Sequence, residues 1–171
     1  MNLKLSILSV CTIICLSGCG TRPYTPSEYM LRDGVIPTLN VKGDVVIDNT
    51  QSNNAEVLVY EYAGSNLASN YKDITQLMVE QTKKELEKNT KNKTEGTQKK
   101  IELQVTYLKS TYQIMWWKSE LRYTAVLGGS DRVEKIVHHG SGNLIQDLNG
   151  CIADAVVDLL NDAKVQAYLA E

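Results

Sequence analysis

The 171-residue chain has no phenylalanine and only two histidines, three prolines and four cysteines. Each shortage excludes something. Cys11, Cys15 and Cys19 crowd the first nineteen residues and Cys151 stands far downstream, so the count does not describe a disulfide framework. His138 and His139 are neighbours in sequence. On a strand they point to opposite faces and cannot chelate one metal, and no Cys, Asp or Glu stands around them at a ligand spacing. The net charge of −2 supplies no basic field for nucleic acid. The longest early apolar run, Leu5 to Leu16, is too short to span a bilayer core, which needs about 20 residues.

What the first residues do contain is more telling. The amino terminus and Lys4 precede that apolar run, and Leu16-Ser17-Gly18-Cys19 ends it. A short positive region, an apolar stretch and small residues before a cleavage point form a secretory leader. The last four residues resemble the lipobox of bacterial lipoproteins. The resemblance implies cleavage between Gly18 and Cys19, with diacylglycerol on the Cys19 thiol and an acyl chain on its new amino group. One acyl chain binds a membrane only marginally, whereas two or three anchor it durably. Gly20 follows where an Asp would favour inner-membrane retention, so the same resemblance implies an outer-membrane, periplasm-facing protein. Cys151 is then the one thiol left, and in an apolar helical stretch it reads as a small buried side chain.

All three prolines, Pro23, Pro26 and Pro37, lie in the next segment. Proline disfavours helix interiors and central strands, so residues 19–37 read as a lipidated terminus and extended tether. Residues 38–171 read as a single domain, large enough to bury a core without disulfides.

Within that body, 38–49 and 55–62 read as strands rich in Val and Tyr, separated by the turn cluster Gln51 to Asn54. Asp73 with Gln76 has the spacing of a capping box, and Ile74, Met78, Thr82 and Leu86 form one helical stripe. A polar loop follows. Ile101, Leu103, Val105 and Tyr107 then alternate with polar residues, as do Leu121, Tyr123, Ala125 and Leu127. A turn at Gly128-Gly129 leads to a third strand, and a long helix runs from Asn143 to Leu169 with Asn143 and Gln146 at its start. Gly150 within it marks either a close backbone approach or a tolerated defect of about 1 kcal/mol. The order β-β-α-β-β-β-α predicts a two-layer α+β domain, a mostly antiparallel sheet with two helices on one face.

The lipobox, this element order, the strands "IELQVTYL" and "LRYTAVL", and above all "IADAVVDLLNDAKVQAYL" are similar to the YajG-like family of uncharacterised bacterial lipoproteins. The resemblance implies an outer-membrane association and no established enzymatic activity. More loosely, the architecture is similar to small envelope lipoproteins that assist transport or assembly, such as auxiliary lipoproteins of ABC-type lipid transporters, which is an analogy of fold.

Of the remaining motifs, "STYQIMWWKS" is the surface candidate. A hairpin between its flanking strands puts Tyr112, Met115, Trp116 and Trp117 at or near the tip, residue types favoured in interfaces. Adjacent tryptophans on a strand face opposite ways, so one buried and one exposed is expected. Seven lysines against three glutamates between residues 83 and 100 can meet anionic headgroups, but a solvated helix end explains them more simply. "GSGN" lacks a phosphate-loop lysine and "GGSD" lacks a nucleophile elbow. The expectation is a non-enzymatic, cofactor-free, lipid-anchored envelope protein with a protein partner. A small-ligand or lipid-binding module is the alternative.

Overall fold

The computed structural model describes residues 20–171. The leader and Cys19, and with them the cleavage and lipidation expected at Gly18 and Cys19, lie outside the described residues. Among the described residues, twelve elements follow one another. Five strands come first: β1 (Gly20–Pro23), β2 (Leu39–Lys42), β3 (Val45–Asn49), β4 (Glu56–Tyr62) and β5 (Ser65–Asn70). Helix α1 (Tyr71–Asn89) leads to β6 (Thr90–Thr94), β7 (Lys99–Gln113), β8 (Trp116–Leu127) and β9 (Asp131–Ser141). Helices α2 (Leu144–Asn161) and α3 (Ala163–Ala170) close the chain. The fold is α+β, with the order of principal elements that the sequence implies.

The main sheet runs β1-β5-β4-β7-β8-β9, with β3 also on β7. Its long ladders, β7/β8 and β8/β9, are antiparallel, while β1/β5, β3/β7 and β4/β7 are parallel, so the sheet is mixed. Strand β7 is long enough to serve two partners along one edge. β3 covers it up to Leu103, and β4 meets it at Ser110. The gap between them exposes backbone groups that must still be paired. Gln51 Nε2 donates to the Val105 carbonyl at 2.7 Å, and the Val105 N–H donates to Thr75 Oγ1 at 3.0 Å. Side chains from the turn cluster and from α1 thus replace the missing strand.

The inward stripe of α1 packs as its spacing predicts, with Ile74, Met78, Thr82 and Leu86 all buried. Its start differs. Asn70 is the N-cap, accepting from the Asp73 N–H at 2.8 Å and donating to Asp73 Oδ2 at 2.7 Å. Asp73 is therefore the third residue of the capping arrangement rather than the first. Asn143 does cap α2, accepting from the Gln146 N–H at 3.1 Å. Leu148, Ile152, Val156 and Leu159 of that helix are fully enclosed against the sheet with Leu103, Leu121 and Tyr123.

Four further differences have local causes. The expected strand 38–49 divides at Gly43, which has φ +82° and abuts the Thr97 backbone so closely that a Cβ would overlap it. The divided piece β2 pairs in parallel with β6, which lies in the segment read as a polar loop. Strand β5, "SNLASN", has little strand character of its own and is held by its hairpin with β4. The last helix breaks at Asp162, which leaves helical geometry (ψ 127°) and caps α3 through the Lys164 N–H at 2.8 Å.

The stretch read as an extended tether is packed against the body. Its first residues form β1 on the sheet edge, where proline is tolerated. Beyond them Tyr24 and Ile36 are buried. The Tyr24 hydroxyl donates to Asn149 Oδ1 at 2.5 Å, and Gln81 Nε2 donates to the Tyr29 carbonyl at 2.7 Å. Glu28–Lys84 and Asp33–Lys88 ion pairs add further attachments to α1.

Candidate functional site: the hairpin end of the sheet

Strands β7 and β8 run antiparallel until Gln113 pairs with Trp116, leaving Ile114 and Met115 as a two-residue loop. One of the two common turns for such a loop, type I′, needs positive φ at both central residues, conformations suited to Asn-Gly. Here φ is +40° at Ile114 and +127° at Met115. Both side chains are 86% exposed. A β-branched residue in this region is strained, and an apolar pair gains nothing from water.

The two tryptophans part as expected. Trp116 is 57% exposed on the face away from the helices. Trp117 is half-buried on the helix-facing side, with ring centroids 5.3 Å from Tyr112, which lies 5.1 Å from Tyr62. The Trp117 Nε1 is enclosed without a hydrogen-bond partner among the described residues.

The sheet register brings more to this end. Tyr60 is level with Ser110, so the β4–β5 turn lies beside the β7–β8 turn. Ser65, just past that turn, pairs with Gly20. The first described residue is thus at the same end as the apolar tip, three strands away, or roughly 15 Å. Ser141, paired with Trp117, brings the start of α2 there too, including the exposed Ile145. Sequence reasoning identified the tip but missed this adjacency and missed Tyr62, Ile114 and Ile145.

The other candidates separate. His139 turns inward, its Nδ1 2.7 Å from Asp154 Oδ2, and its ring meets Tyr29 edge-on at 5.9 Å. The hydrogen bond to Asp154 raises its pKa above the ordinary histidine value. The ring also lies where a Cβ of Gly150 would be, so Gly150 marks a close approach. Asp147 is buried and accepts from Ser110 Oγ at 2.6 Å and from Ser119 Oγ. The serines therefore serve Asp147 and the histidine serves Asp154, as two distinct clusters. Cys151 is buried, and desolvation pushes its thiol well above the usual range, which disfavours the reactive thiolate.

In the lysine-rich segment, Lys84, Lys88, Lys93 and Lys100 pair with carboxylates, and Lys99 lies 5.3 Å over the Tyr168 ring. Local neutralisation fits the solvated-face reading. Among the described residues, no group of three or more His, Cys, Asp or Glu could hold a metal ion. Nor is any described helix long and apolar enough to cross a membrane.

No family model matches the chain, and no curated protein matches it. Among solved structures it is similar to the crystal structure of protein XCC0632 from Xanthomonas campestris, of family DUF330. The TM-score is 0.51 at 12% identity, covering 86% of this chain and 95% of that one. The likeness establishes a shared fold with a bacterial protein of an uncharacterised family. It does not single out the YajG-like family.

Proposed function

We propose that the protein is a non-enzymatic lipoprotein of the bacterial outer membrane. Its domain faces the periplasm and acts as a protein-binding or accessory component of an envelope complex. The observation that carries this reading is the pairing of Gly20 with Ser65. It brings the chain to the body immediately after the lipobox cysteine, so a lipid on Cys19 would hold the folded domain close against the bilayer. The resemblance to YajG-like lipoproteins and the shared fold with a small bacterial domain support it.

The test is the variant Cys19→Ala in cells. Acyl labelling is lost, the protein leaves the membrane fraction, and any stoichiometric envelope partner recovered after gentle solubilisation of the wild type is lost with it. Retention of both label and membrane association defeats the reading.

One observation favours a second reading, a lipid- or small-ligand-binding module. A groove of about 430 Å³ lies between α1 and strands β2, β3 and β6. Val41, Ile47 and Leu86 form apolar walls, and Lys83, Glu87 and Lys93, the last paired with Asp44, stand among the lining residues. That combination suits a small amphiphile with a polar head. Native mass spectrometry of the detergent-extracted protein would show a retained, non-covalent mass if the groove is occupied.

A further inference from the structure

The geometry points to the hairpin end of the sheet as a membrane-inserting surface: Ile114, Met115 and Trp116 enter the interface of the leaflet that holds the Cys19 lipid. The inference rests on the anchoring proposed above and adds to it a second point of attachment, made by protein side chains.

Three observations converge. The first is position. Gly20 is level with Ser65 and, through β4, with Tyr62 and Tyr112. Ile114 is two residues further along β7, or roughly 7 Å beyond that level in an extended strand. With Cys19 held at the glycerol backbone and this end of the sheet facing the bilayer, the tip reaches past the headgroups to a depth typical of interfacial segments, about 5–10 Å.

The second is chemistry. Ile114 and Met115 are the most exposed of the large apolar residues at this end, and Trp116 follows at 57%. Tryptophan is the residue type that concentrates at membrane interfaces. Arg22 and Lys118 are both exposed and sit two residues back from Gly20 and Trp116, at the height where cations meet phosphates. Glu61 is an exposed carboxylate near that height.

The third is backbone. Ile114 and Met115 hold positive φ that Asn and Gly would adopt without strain. Folding alone therefore disfavours the residues present. An apolar tip kept against its turn preference needs something apolar to enter, and the anchored amino terminus puts a bilayer within reach.

The chain has two tryptophans, which makes the test direct. Trp117→Phe leaves Trp116 as the single reporter and sacrifices no hydrogen bond, since the Trp117 Nε1 makes none among the described residues. The lipidated full chain is reconstituted into phosphatidylethanolamine–phosphatidylglycerol vesicles with or without brominated acyl chains. Trp116 is expected to lose emission to the bromines relative to the unbrominated vesicles, because an indole at the interface lies beside the acyl chains. Ile114→Asn with Met115→Gly, which suits the turn and retains the fold, should restore most of it.

The same reading is taken on Cys19→Ala added to excess vesicles, where a weaker quench that disappears with the tip exchange is expected. Absence of quenching in both preparations overturns the inserted tip, whatever the acyl label shows. Quenching that persists in a wild type carrying no acyl label overturns the anchor alone. Unquenched Trp116 that photocrosslinks to a discrete protein in cells also overturns the proposal and makes this end a protein interface.

Discussion

Two tight turns lie side by side at one end of the sheet, and they differ in a way that folding does not explain. Ala63–Gly64 joins β4 to β5 with φ of +48° and +79°. Ile114–Met115 joins β7 to β8, also with positive φ at both residues. The first pair is small, and its glycine adopts left-handed geometry without penalty. The second pair is bulky and apolar and incurs both strain and exposure. Positive φ at both positions with opposite residue choice sets the β7–β8 tip apart, since its side chains are not the ones such a turn calls for. Its strand ladders tolerate it because β7 and β8 are the longest pair in the sheet, paired from Ile101 with Leu127 to Gln113 with Trp116 across one irregularity at Thr106.

Exchanging the two chemistries is the sharpest way to break this contrast. Gly64→Val imposes on the short hairpin the burden that Ile114 places on the long one. It should cost about 2–3 kcal/mol, because β-branched residues are strained there and β5 has only six residues of ladder. Denaturant unfolding reads the loss as a lowered midpoint at unchanged slope. The reciprocal change, Ile114→Asn with Met115→Gly, should stabilise by about 1–2 kcal/mol through relief of strain and a favoured turn. A loss of stability from that exchange would mean that the native side chains support the fold, and the contrast would collapse.

The same contrast shows what was legible in the sequence. Period-two alternation exposed β7 and β8, and period 3.6 exposed the buried stripe of α1, because each of these faces packs continuously against one layer. The opposite fates of Trp116 and Trp117 followed from strand geometry alone. What stayed hidden depended on partners far away in sequence. "SNLASN" forms a strand because Tyr62 and Ser65 close a hairpin, and its small polar side chains carry little pattern. Gly43 divides a strand because Thr97 presses on it. The prolines of residues 20–37 excluded a helix correctly, but they could not reveal that Tyr24 reaches Asn149 or that β1 would lie in parallel on β5. The candidate site was therefore half visible. Its aromatic residues stood out, while their proximity to the amino terminus needed two parallel pairings that no local signal announces.

The smallest expected effect lies in the helix-backed interior, and it tests whether the hairpin end behaves as a separate region. His139 bonds Asp154 and faces Tyr29 and the Gly150 backbone, with the buried Asp147 nearby. The bond to Asp154 raises the histidine pKa in the folded state. A raised folded value means that the native state holds its proton more tightly than the unfolded chain, where histidine titrates near about 6.5. The resulting stabilisation is fully present below that unfolded value and fades as pH rises through the higher folded one. Asp154→Asn removes the carboxylate and should flatten this dependence. The melting-temperature difference between wild type and variant should thus shrink from mildly acidic to mildly alkaline pH. Bromine quenching of Trp116 should hold the same value across that window, because His139, level with Ser119, turns to the helix-packed face of the sheet while Trp116 lies on the other. A quench that titrated with His139 would tie the two regions together and remove the separation on which the comparison of the turns depends.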